Sequence, residues 1–158
     1  MTTRTLVTPR GLSKLHEQLR YYIEIERPKN VRDIEEARAH GDLRENAEYH
    51  AAKERQGMIQ ANIQMIESQI ATAEIIDPAQ QSGTRVIFGA TVTLTDVEND
   101  HEVRYQIVGD AEADLAAGLI SLNAPMARGL IGKDTGDEVA VYTPKGKRNF
   151  VIERVEFK

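Results

Sequence analysis

Cysteine is absent from this chain. That gap alone excludes disulfides, thiolate zinc centres and cysteine nucleophiles. Tryptophan is absent too, phenylalanine occurs only three times and aromatics reach 5%, which leaves little to line a deep ligand pocket. No apolar run approaches the roughly 18 residues that a membrane span requires. The polar start Met1-Thr2-Thr3-Arg4 does not read as a signal peptide, so a cytoplasmic location is the simple expectation. Basic charge is also short: 20 Lys and Arg face 25 Asp and Glu, giving a formal net charge of -5 and a pI near 5.4. A free-standing nucleic-acid binder would usually be basic, so any contact with DNA or RNA is local or arranged by a partner. What is present is 41% hydrophobic and 28% charged over 158 residues, the balance of a soluble globular protein of one ordinary domain or two small ones.

The hydrophobic period divides the chain. Thr8-Pro9 offers a helix start, with a hydroxyl at the cap and proline where its missing N–H costs nothing. Leu12, Leu15, Leu19, Tyr22 and Ile23 follow at helical spacing, and Val31, Ile34 and Ala37 resume the pattern. Pro28 interrupts it and predicts a kink or a local break in the ladder. Gly41 supplies the stop. A second helix is expected from about Glu45 to before Asp77-Pro78, with Ala52, Gln56, Ile59, Ile63, Ile66, Ile70 and Ala73 forming a heptad seam. Such a seam also suits a two-stranded dimer. Matching stripes on both arms and a tight polar turn favour an antiparallel hairpin within one monomeric chain.

Residues 79–84 read as a polar linker between a hairpin domain at 1–78 and a second domain at 85–158. In the latter the period becomes two: Val92 and Leu94, then Val103, Tyr105 and Ile107, then Val139 and Val141. Turn signals separate these strands, and Ala111 to Ala117 and Met126 to Ile131 are each suited to a short helix. The expected class is α+β, a helical hairpin followed by a small, mostly antiparallel sheet domain with short helices.

The richest stretch is His40-Gly41-Asp42-Leu43-Arg44-Glu45-Asn46-Ala47-Glu48-Tyr49, where the two helices must turn. Asp42-Leu43-Arg44-Glu45 fits a capping box, which by itself explains both carboxylates. The other reading is chemical. Mg²⁺ is commonly held by one or two carboxylates, with waters and substrate phosphates completing its shell. Two acids at an exposed turn cannot make a tight site alone, but they can complete one that another macromolecule has begun. Arg38, Arg44, Lys53 and Arg55 flank the turn. Tyr49 suits either RNA contact or packing of the helix ends, and Leu43 either an exposed apolar contact or a plug over the turn. His40 and His50 lack the further ligands that a transition-metal site wants, and are expected to be surface histidines.

Over nearly its whole length the sequence resembles the bacterial Gre transcript-cleavage factors. The resemblance lies in Thr8-Pro9-Arg10-Gly11, the run from Glu36 to Ala52, and Arg85 to Val92. It continues through Ile107-Val108-Gly109-Asp110-Ala111-Glu112-Ala113-Asp114 and Pro125 to Lys133. It implies a coiled-coil hairpin joined to an FKBP-like domain. That domain docks on RNA polymerase, and the hairpin tip enters the secondary channel. There the factor stimulates the polymerase's own Mg²⁺-dependent cleavage of the nascent RNA 3′ end in backtracked complexes. By the same resemblance Asp42 and Glu45 are the tip acids, Asp42 helping to hold the second Mg²⁺ and Glu45 positioning the attacking water. Arg38 and Lys53 would meet RNA phosphates, although lysine at 53 lacks the bidentate geometry of arginine. The docking loop would be Ser121 to Met126, with Asn123, Ala124, Pro125 and Met126 facing polymerase. Ala124 stands where many relatives carry serine. No stably bound cofactor of the free protein is implied.

Two other readings compete. An inhibitor of the same fold would fill the channel without stimulating cleavage, but the Asp-x-x-Glu tip is that of stimulating members. A coiled-coil adaptor or chaperone would bind protein only. The scarcity of aromatics argues against prolyl isomerisation.

Overall fold

The computed structural model describes residues 4–158; Met1, Thr2 and Thr3, part of the polar start discussed above, lie outside them. Two compact units emerge, one of residues 13–72 and one of residues 4–12 together with 73–158.

The first unit is a helical hairpin. Helix α1 spans Pro9–Tyr21, α2 spans Arg27–Ala39 and α3 spans Ala47–Ala71. Between α1 and α2, Tyr22–Glu26 form a π-helical turn in which the Arg27 N–H reaches the Tyr22 carbonyl. The expected disturbance at Pro28 therefore takes a specific form. Proline has no N–H to give and its ring crowds the carbonyl four residues back, and the wider turn absorbs both defects without ending the helix. The hairpin buries Ala37 of α2 and Ala52, Ile59, Ile63 and Ile66 of α3. Each isoleucine contributes on the order of 1.5–3 kcal/mol by leaving water. Gln56, placed in the seam by its spacing, is exposed instead. Asn30 is buried there and donates from Nδ2 to the Ala52 carbonyl at 2.9 Å, so its polar head is satisfied.

In the second unit strand β1 (Thr5–Val7) pairs in parallel with β2 (Ala73–Ile75). Thr8 then opens α1, its hydroxyl accepting from the Gly11 N–H at 3.0 Å and donating to the buried Glu112 carboxylate. Strands β3 (Thr91–Asp96), β4 (Glu102–Val108), β5 (Leu119–Ser121), β6 (Glu138–Thr143) and β7 (Gly146–Glu156) form a five-stranded sheet ordered β5-β4-β3-β7-β6. Pairing is antiparallel except between β4 and β5, where Ile107 lies opposite Ile120 in a parallel register, so the sheet is mixed. One face carries Val92, Leu94, Ile107, Val139, Val141, Phe150 and Ile152 into the core, and helix α4 (Pro125–Leu130) adds Ala127 and Leu130. Gly129 lets α4 approach β6 closely, since a Cβ there would stand 3.1 Å from a Val141 methyl. The short helix expected at Ala111 to Ala117 shrinks to a 3-10 turn at Leu115–Ala117, ended by Gly118 with φ of +77°. No helix of the described residues is long and apolar enough to cross a membrane.

Candidate functional site

The turn between α2 and α3 occupies residues 40–46. Helix α2 ends at Ala39 with His40 as its C-cap, and Gly41 takes φ of +108°, a conformation that a side chain would strain. The chain then runs through Asp42, Leu43, Arg44 and Glu45, all exposed, before α3 begins.

The capping box expected at Asp42 and Glu45 is not formed. Asn46 is the cap: its Oδ1 accepts the Tyr49 N–H at 3.0 Å, and its backbone is extended with φ of -87° and ψ of 94°. The helix starts at Ala47, later than the pattern predicted, because asparagine caps as well as aspartate and sits nearer the first periodic residue. Asn46 also donates from Nδ2 to the Ala37 carbonyl at 2.6 Å. Asp42 shapes the turn in another way, its Oδ1 accepting the Arg44 N–H at 2.9 Å in an Asx turn that occupies one oxygen. Among the described residues the Glu45 carboxylate has neither a hydrogen bond nor an ion pair. Both acids line one shallow depression with His40, Asn46, Ala47 and Glu48.

The flanking cations divide. Arg38 is exposed on the last turn of α2. Lys53 is exposed on α3, its Nζ donating to Gln56 Oε1 at 2.8 Å. Arg55 is engaged elsewhere, 2.5 Å from Glu26 Oε2. The Tyr21 hydroxyl donates to the other Glu26 oxygen at 2.6 Å. These two donors, tyrosine first, hold the Glu26 carboxyl below the ordinary glutamate range. Tyr49 is half-buried and meets His50 edge-on, the ring centroids 5.8 Å apart. His50 Nε2 lies 3.1 Å from the Arg44 carbonyl, and Leu43 is exposed.

Whether this turn suits a divalent ion is a question of its donors. Among the described residues no group of three or more His, Cys, Asp or Glu side chains converges to hold a metal. One unused Asp42 oxygen and a free Glu45 carboxylate are a partial ligand set, which fits Mg²⁺ shared with another macromolecule and does not fit a self-sufficient site.

The loop at 121–126 is organised by an acid that sequence reasoning passed over. Asp110 accepts from the Ser121 hydroxyl through Oδ1 and from Asn123 Nδ2 through Oδ2 at 3.2 Å. The Ser121 Oγ in turn accepts the Asn123 N–H at 3.1 Å. Ala124 is the N-cap of α4, where no side-chain cap forms, and Pro125 takes the first turn as expected. Asn123 and Pro125 are exposed; Ala124 and Met126 are half-buried. An Asx residue after a strand end was the available signal for Asp110, but its partners lie beyond sequence proximity.

The chain is similar to known proteins over most of its length. A family model described as "Transcription elongation factor, N-terminal" matches residues 5–75, and one described as "Transcription elongation factor, GreA/GreB, C-term" matches residues 80–157. The chain is 50% identical to the transcription elongation factor GreA of Xanthomonas axonopodis pv. citri over 155 residues, covering 98% of each. It is 54% identical to GreA of Sphingopyxis alaskensis over 147 residues, covering 93% of this chain and 92% of that protein. Among solved structures it aligns with GreA factor homolog 1 of Thermus thermophilus at 28% identity, covering 98% of this chain and 99% of that one, with a TM-score of 0.45.

Proposed function

Because this chain belongs to the GreA/GreB family of transcription elongation factors, which rescue backtracked elongation complexes, we propose that Asp42 and Glu45 are the groups it lends to the polymerase active site. The observation that carries this reading is the division of labour in the turn. Asn46 performs the capping, so Glu45 is left without an internal partner and Asp42 keeps one oxygen free.

The hydrolytic centre is the polymerase's, and the chain acts as an accessory factor rather than an enzyme. Asp42 offers its unused oxygen as one ligand in a shell otherwise completed by polymerase and RNA. Bound there, Mg²⁺ would supply Lewis acidity and a polarised water for phosphodiester hydrolysis. Glu45 would accept a hydrogen bond from the attacking water and orient it. Arg38 and Lys53, exposed beside the turn, neutralise phosphates of the extruded RNA 3′ segment. The loop with Asn123, Ala124, Pro125 and Met126 docks on polymerase. The free protein is a cytoplasmic monomer, its hairpin seam filled from within the chain.

Asp42→Asn and Glu45→Gln remove the charges and keep the shapes. Neither residue caps a helix, so the melting temperature should stay put. Transcript cleavage on a stalled elongation complex in Mg²⁺ should fall by about a hundredfold, the low end for loss of an acid–base group. Cleavage that survives both changes overturns the assignment.

A further inference from the structure

We infer that Asn46 is a positioning residue for the tip acids, an amide staple that fixes the end of α2 to the start of α3. An ordinary N-cap bonds only within its own first turn. This one also reaches nine residues back, Nδ2 donating to the carbonyl of the buried Ala37 at 2.6 Å while Oδ1 holds the Tyr49 N–H at 3.0 Å. The roles of the two ends are forced by their partners: a carbonyl needs a donor and an N–H needs an acceptor. An amide head carries the two on separate atoms, far enough apart to serve both helices. Aspartate would cap α3 equally well but would set a carboxylate oxygen against the Ala37 carbonyl. Serine would also cap, on a side chain too short to bridge the helices.

The stapled points enclose residues 38–45, which include Arg38, Asp42 and Glu45. The side chains of Arg44 and Glu45 are exposed and Leu43 is only partly covered, so packing alone holds the turn weakly. Its shape rests largely on polar contacts: the staple, the His40 and Gly41 N–H bonds to the Ala37 and Arg38 carbonyls, the Asx turn at Asp42 and the approach of His50 Nε2 to the Arg44 carbonyl. Of these only the staple ties the two helices directly. Without it the helix ends can splay, and a water-filled turn presents its two acids in many geometries. A partial ligand set is sensitive to that freedom, since Asp42 must meet an ion held elsewhere and Glu45 must meet the water that attacks. The role rests on the reading of Asp42 and Glu45 given above.

The test uses the full chain with Asn46→Ser, and Asn46→Asp should the serine variant fail to fold. In free protein, amide hydrogen exchange should quicken about tenfold at Gly41 and Arg44, while Tyr49, still capped, stays protected. On stalled elongation complexes the half-saturating Mg²⁺ for stimulated cleavage should rise about tenfold, with rate recovering at high Mg²⁺, a shift that mere loss of stability would not produce. Unchanged exchange and unchanged Mg²⁺ dependence in a folded variant overturn the staple. Glu45→Gln and Asp42→Asn run alongside. If they abolish cleavage while Asn46→Ser changes nothing, the staple is wrong and the acids stand. If they are silent while exchange at Gly41 and Arg44 quickens, the acids are misassigned and Asn46 has nothing to position.

Discussion

At the loop 121–126 the carboxylate of Asp110 is occupied through both oxygens, one by the Ser121 hydroxyl and one by the Asn123 amide. At the turn 40–46 the arrangement is largely reversed: a neutral amide, Asn46, makes two internal bonds, Asp42 uses one oxygen, and Glu45 makes none among the described residues. Both segments are polar and both are organised by a side chain of the Asx type. They differ in where negative charge is used. An acid whose oxygens are filled from within its own fold shapes that fold. One left open, with capping assigned to a neighbour, is available to something outside. Glu26 belongs with Asp110, since Tyr21 and Arg55 fill both of its oxygens.

Asp110→Ala offers the largest effect on the loop side of that contrast. It removes two hydrogen bonds to an ionised acceptor and leaves Ser121 and Asn123 free to move. Apparent affinity for polymerase should weaken about tenfold, roughly 1.4 kcal/mol, with cleavage at saturating factor unchanged. Competition binding and a cleavage titration separate the two quantities. A fall in the saturated rate would erase the distinction between a shaping acid and a working one.

Acid titration sharpens the same contrast within the hairpin. The hydrogen bond from Tyr21 and then that from Arg55 lower the Glu26 pKa below its usual 4.5. A depressed carboxylate contributes stability that is fully present above pH 4.5 and is lost as pH falls through the lower, folded value. Tyr21→Phe removes the first cause and should shrink this contribution. Thermal melts of the two proteins should therefore differ near neutrality and converge as pH falls from 4.5 through the lower, folded value. Curves that stay parallel throughout would mean that the Tyr21–Glu26 bond contributes nothing in solution.

How much of this was legible beforehand depends on the range of each interaction. The hairpin, the middle of its seam and the Gly41 stop were readable, because helical period and a left-handed glycine act over a few residues; the expected second helix was too long, since α3 ends at Ala71 and Ala73 belongs to β2. The cap was misplaced for an instructive reason: Asp42, with Glu45 three residues on, and Asn46 are both valid starts under local rules, and the choice was settled by the Ala37 carbonyl. The π turn before Pro28 was foreseen only as a disturbance. Strands β1 and β2 escaped notice because each spans three residues, too few to show a period, and their partners lie far apart in sequence. The parallel β4–β5 pair was hidden in the same way. At the candidate site the acids and cations were visible as residue types. Only the structure showed that Arg55 is committed to Glu26 and that Asp110 is committed to the loop.

The smallest effect concerns the helix starts themselves. Helix α3 has a side-chain cap from Asn46, whereas α4 begins at Ala124 with none, although its extended backbone (φ -70°, ψ 148°) is that of a capping position. A serine hydroxyl there would reach the N–H groups of the first turn. Pro125 already removes one orphan donor, so the available gain is about 0.5–1 kcal/mol. Ala124→Ser should raise the melting temperature by about 2 °C for a chain of this size. Because the hydroxyl would be used internally, polymerase affinity should change little. A gain in affinity without a gain in melting temperature would mean that the serine faces the partner, and position 124 would then belong with Glu45 among side chains left open for an outside molecule.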